Sequence, residues 1–176
     1  MNIALFEPYY GGSHQQWADG LRRHSRHRIE LFTLPPRHWK WRMHGAAVTL
    51  SEAWNRRNEP ADLLLATDLL ALAAFRGLLQ SPHRTTPLVL YFHENQLTYP
   101  WSPGDPDPGL QRDRHYALIN YTSALAADRI FFNSDFHRRA FLDALPEFLR
   151  RFPDHRTLHR VAEIREKSRT LPLAIS

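Results

Sequence analysis

Short apolar runs alternate with longer amphipathic stretches along nearly the whole chain, and this alternation constrains the fold more than any other feature. Several runs are apolar at consecutive positions, which is typical of strands covered on both faces of a sheet. Strands are predicted at 3–6, 29–32, 63–66, 88–92 and 130–132, with a sixth at 171–175. Helices are predicted at 13–24, 45–58, 68–79, 112–127, 135–151 and 157–167.

This order of elements predicts parallel strands that are joined by right-handed crossovers. We therefore expect residues 1–176 to form one α/β domain of Rossmann-like build, with a doubly wound, mostly parallel sheet. A chain of 176 residues is long enough to enclose one hydrophobic core. Ser13, Asp68 and Asp135 open three of the predicted helices, and we expect their side-chain oxygens to cap them.

The composition excludes several classes of protein. The chain has no cysteine, so disulfides and thiolate chemistry are excluded. No apolar run approaches the roughly 18 residues that a membrane span needs. The first residues enter a strand pattern at once, which leaves no room for a signal peptide. We expect a cytoplasmic protein with no membrane partner.

Polar segments follow three of the predicted strands, at 8–14, 93–101 and 133–137. In a doubly wound sheet, ligands bind beyond the carboxyl ends of the strands, near the point where the strand order reverses. We therefore expect a ligand site built from these segments.

Gly11 and Gly12 lie at a strand-to-helix turn, where glycine lets the backbone approach a ligand and helix amides face an anion. A tight turn without a ligand fits the same residues. The adjacent glycines do not match G-x-G-x-x-G, and no acidic residue follows the second strand to hold a ribose. The sequence therefore argues against a dinucleotide-dependent enzyme.

Residues 93–96 read His-Glu-Asn-Gln, four consecutive groups that can form hydrogen bonds to a polyhydroxyl ligand. His93 could also transfer a proton near neutral pH. The alternative is that neighbouring backbone satisfies these side chains. Asn133 and Ser134 leave a similar choice, because they either cap the next helix or reach the cleft.

The positive charge is concentrated in residues 138–169, which we call the basic segment. It holds nine Arg or Lys against five Asp or Glu, so it carries +4 of the formal net charge of +5. A solvated helical face and a nucleic-acid interface both fit this pattern. In residues 37–42, basic side chains alternate with the indoles of Trp39 and Trp41. These indoles either stack on nucleobases or hold the loop to the domain. His155 and His159 have the spacing of metal ligands on a helix, but no third ligand is near, and we predict no metal site.

Several blocks, taken together, resemble the N-terminal domain of the tRNA-queuosine mannosyltransferases. The blocks follow one another in order over nearly the whole chain: Tyr10–His14, Leu34–Pro35, Trp39–Arg42, Tyr91–Pro100, Phe132–Ser134 and Pro153–Arg156. The resemblance implies a retaining GT-B glycosyltransferase of the family-4 type, in which two Rossmann-like domains face each other across a cleft. The donor-binding C-terminal domain of that type carries two glutamates with seven residues between them.

No two glutamates of this chain have that spacing. We therefore expect residues 1–176 to be the acceptor-side N-terminal half of the enzyme. The donor-binding C-terminal domain is then absent from the chain and acts as its partner. The isolated domain should be inactive. The alternative, favoured by the charge distribution and the missing donor half, is a non-catalytic RNA-binding α/β module.

The resemblance also implies roles for particular residues. Gly11 and Gly12 face the diphosphate and sugar of the donor, and His93 touches the transferred sugar, which makes it the best candidate for a catalytic residue. The predicted substrate-binding residues are Gly11, Gly12, Ser13, His14, His93, Glu94, Asn95, Gln96, Tyr99, Asn133 and Ser134. The predicted nucleic-acid contacts are Trp39, Trp41, Arg150, Arg151 and Arg156.

The substrates are implied in the same way. The donor is GDP-mannose, a nucleotide sugar that serves as co-substrate, and no cofactor is expected in this domain. The acceptor is the cyclopentenediol of queuosine in the anticodon region of a tRNA, which fits a basic surface.

Overall fold

The computed structural model describes residues 1–173 and contains one six-stranded sheet in which every strand is parallel to its neighbours. The strands are β1 (Asn2–Glu7), β2 (Arg28–Thr33), β3 (Leu63–Thr67), β4 (Leu88–Phe92), β5 (Arg129–Phe132) and β6 (Ser168–Thr170). Their order in the sheet is β2-β1-β3-β4-β5-β6. The predicted α/β class with a parallel, doubly wound sheet is confirmed.

Six α-helices connect or flank the strands. They are α1 (Gly12–His24), α2 (Trp39–Asn55), α3 (Leu72–Leu78), α4 (Asp113–Ala126), α5 (Asp135–Arg150) and α6 (Arg160–Lys167), with a short 3-10 turn at His83–Thr85. None of the helices within residues 1–173 combines the length and apolarity that crossing a membrane requires.

The helices cover the two faces of the sheet unequally. From β1 to β2 the chain moves toward one edge of the sheet, and from β2 to β6 it moves toward the other edge. Right-handed crossovers therefore put α1 on one face of the sheet and α2–α6 on the other. Ile3 and Leu5 accordingly belong to one core with Ala18 of α1. Ala4 and Phe6 point the opposite way, into a larger core fed by α2–α6. The sheet is therefore covered on both faces along its centre.

The sixth strand was predicted at the wrong place. The structure pairs Ser168 with Ile130, so β6 is a polar triplet directly after α6. Residues 171–173 form no strand, and the remainder of the predicted 171–175 lies outside the described residues. An edge strand has one neighbour and needs less apolar surface than an inner strand, so its composition gave no signal. Lys167 fixes the helix-to-strand turn by donating to the carbonyls of Leu125 and Ala127.

The three predicted helix caps are wrong by one or more residues. α1 is preceded by Gly11 rather than Ser13, and α3 begins only at Leu72, well after Asp68. Asp135 is the first residue of α5, and the preceding Ser134 is its N-cap, accepting from the His137 amide at 3.1 Å.

Two helices also have different starts from those predicted. α2 begins at Trp39 instead of residue 45, so it includes the predicted indole-rich loop. α6 begins at Arg160 instead of residue 157. His155 lies before it in a non-helical segment with a positive φ of 42°, so it does not share a helix with His159.

Candidate active site

A cavity of about 450 Å³ opens at the carboxyl edge of the sheet. It is lined by segments that follow β1, β2, β3 and β4. It lies beside β1 and β3, where the order of the strands in the sheet reverses. This is the place where doubly wound sheets bind ligands. The lining residues are Tyr9, Gly11, Gly12, Ser13, His14, Pro36, Trp39, Leu69, Glu94, Gln96, Tyr99, Pro100, Trp101, Ser102 and Asp105.

Gly11 and Gly12 form the turn from β1 into α1, and each has a local reason to be glycine. A Cβ on Gly11 would lie 2.5 Å from the ring of Pro36. Gly12 has a φ of +54°, a backbone conformation that is strained for residues with a side chain. Because Gly12 and Ser13 open α1 and line the cavity, the free amides of its first turn lie at the cavity wall. A turn of this kind can receive an anion.

Glu7 and His14 form a buried pair beneath this turn. Glu7 is the last residue of β1 and is fully buried, and its carboxylate accepts from the Tyr9 amide at 2.9 Å. Its other oxygen lies 3.1 Å from Nδ1 of His14. Burial by itself would lower the pKa of His14, but the hydrogen bond and the charge of Glu7 outweigh it and raise this pKa to about 9. At neutral pH the cavity wall therefore holds an imidazolium.

His93 lies behind His14 and is not among the described residues that line the cavity. Its ring centre is 4.5 Å from that of His14, and it packs edge-on against Trp17 at 4.6 Å. Its Nε2 is buried and has no hydrogen-bond partner within residues 1–173. Burial, followed by the charges of His14 and His137, lowers the pKa of His93 to about 3. His93 is therefore neutral and a weak base in this setting.

Asp68 was predicted as a helix cap, and the structure places it instead beside these histidines. It follows β3 directly, is buried, and accepts from the His93 amide at 2.8 Å through Oδ1. Its Oδ2 is buried without a partner among the described residues. Burial raises the pKa of Asp68 to about 8, with a smaller contribution from Glu94. Its carboxyl group is therefore largely protonated at neutral pH.

Glu7, His14 and His93 bring one ligand atom each to within 4.8 Å of one another. Two imidazoles and a carboxylate are ligands that zinc accepts. Glu7 and His14 already share a proton, however, and a metal ion would have to displace it. We interpret the group as a proton-holding pair with a neutral histidine beside it.

The segment after β4 divides its side chains between the cavity and the interior. Glu94, Gln96 and Tyr99 line the cavity, and Gln96 donates to Glu94 at 3.3 Å. Burial raises the pKa of Glu94. The side chain of Asn95 turns inward, where its oxygen accepts from the amides of Leu97 and Thr98 and closes the turn.

Asn133 and Ser134 support this segment from β5 rather than facing the cavity. Asn133 donates to the carbonyl of His93 at 2.8 Å and contacts His137 Nδ1 at 2.9 Å. Ser134 is occupied as the cap of α5. The contact of Ser134 fits the alternative that the sequence left open, in which this pair caps the next helix, whereas Asn133 binds the backbone of His93 instead.

Four aromatic side chains, Tyr9, Trp39, Tyr99 and Trp101, line the cavity, and we call them the aromatic wall. The ring centres of Trp39 and Trp101 are 5.8 Å apart. Lys40 anchors the loop that follows Trp101, because its ammonium lies 2.8 Å from Asp105 and also pairs with Asp107.

The predicted nucleic-acid residues fall into two separate places. Trp39 and Trp41 lie in the first turn of α2, which starts after β2 at the carboxyl edge, and Trp41 is 64% exposed. Arg150 is the last residue of α5, so helix direction puts it toward the opposite edge of the sheet. Arg151 pairs with Glu147 at 3.0 Å. The structure therefore does not bring the indoles and the arginines together.

Sequence reasoning did not single out Glu7, Tyr9, Asp68, Trp101 and Asp105 as site residues. Tyr9 and Trp101 lie in the segments 8–14 and 93–101 that the sequence assigned to the site, and Glu7 and Asp68 are acidic residues at the end of apolar runs. Asp105 gave no signal, because its contact with Lys40 joins residues that are far apart in the sequence.

Comparisons with family models and with known proteins agree with each other. Residues 2–175 match a family model described as tRNA-queuosine alpha-mannosyltransferase N-terminal. A Drosophila melanogaster protein named tRNA-queuosine alpha-mannosyltransferase is 36% identical over 171 residues. The match covers 97% of this chain and 44% of the relative, so the chain spans less than half of that protein's length.

Proposed function

The chain belongs to the tRNA-queuosine alpha-mannosyltransferase N-terminal family, and on this premise we propose that it is the acceptor-side domain of a retaining glycosyltransferase. The proposed reaction transfers mannose from GDP-mannose to a hydroxyl of queuosine in tRNA, in the cytoplasm. The cavity at the carboxyl edge carries the proposal, because one wall holds a glycine turn and an imidazolium and the other holds polar and aromatic side chains. The donor would be held mainly by a second, GT-B-type domain outside this chain.

In the proposed transfer, the bond between the anomeric carbon and the phosphate oxygen breaks as a bond to the acceptor oxygen forms. The electron pair of the broken bond stays on the departing diphosphate, whose oxygen then takes up the hydroxyl proton. The amides of Gly12 and Ser13 and the positive charge of His14 are the groups of this chain that suit an anion. They would stabilise the leaving group, because fixed donors and charges act strongly where water is excluded.

We propose that His93, at the end of β4, holds His14 in position and does not act as a base. Its neutral ring fills the space between Trp17 and His14, so it fixes the position of the imidazolium. The alternative hypothesis is that His93 touches the transferred sugar, which would need a bound sugar to reach beyond the described lining residues. Both versions make the ring of His93 important for activity.

The transfer assay tests the proposal directly. The full-length protein that contains this chain is incubated with labelled GDP-mannose and tRNA carrying queuosine. The same tRNA with guanosine at that position is the control. We expect label only in the queuosine tRNA, and none when residues 1–176 are used alone. Transfer to the guanosine control, or no transfer by the full-length protein, would contradict the proposal.

A second candidate function is a non-catalytic RNA-binding module, which the +4 charge of the basic segment favours. Such a module binds tRNA with the salt dependence of phosphate contacts and does not distinguish queuosine from guanosine. Equal affinity for the two tRNAs, together with no mannose transfer, would support this second function over the first.

A further inference from the structure

The cavity differs in charge from the chain around it. The chain carries a formal net charge of +5, yet no arginine or lysine is among the described residues that line the cavity. Its acidic lining residues are Glu94 and Asp105. Asp105 forms an ion pair with Lys40, and the imidazolium of His14 forms one with Glu7. Glu94 is the lining charge that remains without an opposite charge in contact.

Glu94 is half-buried and has unused hydrogen-bonding capacity. Within residues 1–173, its single side-chain hydrogen bond comes from the amide of Gln96 at 3.3 Å, on Oε1. No described cation lies within ion-pair distance of its carboxylate. A partly desolvated carboxylate gains most from a ligand that brings its own positive charge and N–H donors.

The aromatic wall suits the same kind of ligand. The faces of Trp and Tyr attract cations, and Lys40 already lies 5.7 Å and 5.5 Å from the ring centres of Trp39 and Trp101. Aromatic faces also pack against a small unsaturated ring. A cavity of about 450 Å³ has the size of a small-molecule site.

We propose that this cavity recognises the acceptor through a positively charged amine, with Glu94 accepting a hydrogen bond from the ammonium and the aromatic wall packing on the attached ring. The inference rests on the proposed function, because queuosine joins its cyclopentenediol to the deazaguanine through a secondary amine that is protonated at neutral pH. Gln96 then lies beside Glu94 to bind a ring hydroxyl. Glu94 is thereby assigned as a residue that determines acceptor specificity.

Three free bases distinguish the contribution of the positive charge to binding from that of the cyclopentenediol ring. One deazaguanine carries a nitrile and is neutral, a second carries an aminomethyl group and is cationic, and the third is queuine, which has both the amine and the cyclopentenediol. Binding to the chain is measured by calorimetry at neutral pH. We expect the affinity to rise from the nitrile to the aminomethyl base and again to queuine.

Glu94→Gln keeps the shape of the side chain and removes the charge. We expect it to lower the affinity for the aminomethyl base and for queuine roughly tenfold or more, in the range of a charge-assisted hydrogen bond. The affinity for the nitrile base should change less than about twofold. The matched control is Glu52→Gln on α2, whose carboxylate is exposed and pairs with Arg56 at 3.8 Å. It should leave all three affinities unchanged. Circular dichroism confirms that both variants fold.

The outcomes separate this inference from the proposed function. Equal binding of queuine to the wild type and to Glu94→Gln would overturn the role of Glu94, and so would an absence of queuine binding. Neither result bears on whether the full-length protein transfers mannose to queuosine tRNA. Loss of that transfer in the wild type would instead contradict the proposed function.

Discussion

The cavity and the basic segment hold their charges in opposite ways. In the cavity region, Glu7 and Asp68 are buried, and burial and close partners move the pKa of several groups far from their ordinary values. In the basic segment most of the charges are exposed, and several of them pair along the helices, as in Arg160 with Glu163 at 2.6 Å. Exposed pairs of this kind contribute little to stability. The cavity region therefore concentrates its charge in a few buried groups, whereas the basic segment spreads its net charge of +4 over many residues.

The two regions also lie at different edges of the sheet. α5 starts at Asp135, beside the carboxyl edge, and its 16 residues carry the chain about 24 Å to Arg150 at a rise of about 1.5 Å per residue. A tRNA whose modified base enters the cavity must therefore extend along the domain to meet these arginines. Separate variants of the two regions test this division between chemistry and affinity.

The largest expected effect is the pH dependence of stability. The pKa of His14 is raised to about 9, above its ordinary 6.5, so its stabilising contribution is complete below pH 6.5 and is lost as the pH rises through 9. This amounts to about 3 kcal/mol in the free energy of unfolding. Asp68, with its pKa raised to about 8, adds a decline from about pH 4 to pH 8. Urea unfolding between pH 4 and pH 9 measures both.

The two neutral histidines, His93 and His137, lower the stability of the fold at acidic pH. The pKa of His93 is lowered to about 3 and that of His137 to about 4, so stability falls as the pH drops below 6.5. Maximum stability is therefore expected near pH 6.5. Glu7→Gln should remove most of the His14 decline between pH 6.5 and 9. The control Glu163→Gln, from the basic segment, should keep it. An unchanged profile in Glu7→Gln would show that the pair of Glu7 and His14 does not cause this decline.

The next largest effect concerns His93 and the transfer activity proposed for the full-length protein. We expect His93→Ala to lower kcat/KM about a hundredfold or more, because it removes the group that fixes His14. It should also destabilise the fold, since the ring packs against Trp17. His93→Phe keeps a ring in that space and should recover both stability and most of the activity. A His93→Phe variant that folds but stays inactive would contradict the packing role and show that the imidazole itself is needed, and exposed His159→Ala is the control.

The inner part of the fold could be predicted because burial shapes its sequence. β1, β3 and β4 have apolar runs at the predicted positions, since inner strands are covered on both faces. The start of α2 was missed because the aromatic and basic residues at 39–42 show no apolar periodicity, and the buried positions of the helix begin only at Met43. The edge strand β6 was missed because its polar residues carry no apolar signal.

The site could be predicted only as far as the chain brings residues together locally. Gly11 to His14 and Glu94 to Tyr99 follow single strands, so their place at the carboxyl edge follows from strand direction. Whether each side chain faces the cavity depends on packing between elements. Asn95 turns inward to close its own turn, and Glu7 contacts His14 through the fold of the glycine turn. Such orientations cannot be deduced from the type of residue.

In the basic segment, we expect a change in the salt dependence of tRNA binding. Four phosphate contacts give a slope of log K against log salt of about −3 to −4. Reversing Arg150, Arg151 and Arg156 to Glu should flatten it to about −1 and weaken all tRNAs equally, because phosphates carry no sequence information. Filter binding from low to moderate salt measures the slope.

The matched control reverses three basic residues beside the end of α1, on the other face of the sheet: Arg22, Arg23 and Arg26. It changes the net charge by the same amount. If both triple variants flatten the slope equally, the basic segment acts only through overall charge. If neither does, its helices are a solvated face.

The smallest expected effect belongs to Trp41, which lies nearer to the cavity than the arginines do. Its ring lies against Gly45, where an added Cβ would come within 2.6 Å of the indole, and its side chain is 64% exposed. An indole held in this way can stack on an unpaired base. Trp41→Ala should therefore cost about 1–3 kcal/mol in tRNA affinity with the salt slope unchanged. Gly45→Ala, which keeps the indole but displaces it, should weaken binding in the same direction. The control is Phe136→Ala, an exposed aromatic on α5, and a loss there without a loss at Trp41 would move the stacking site to α5.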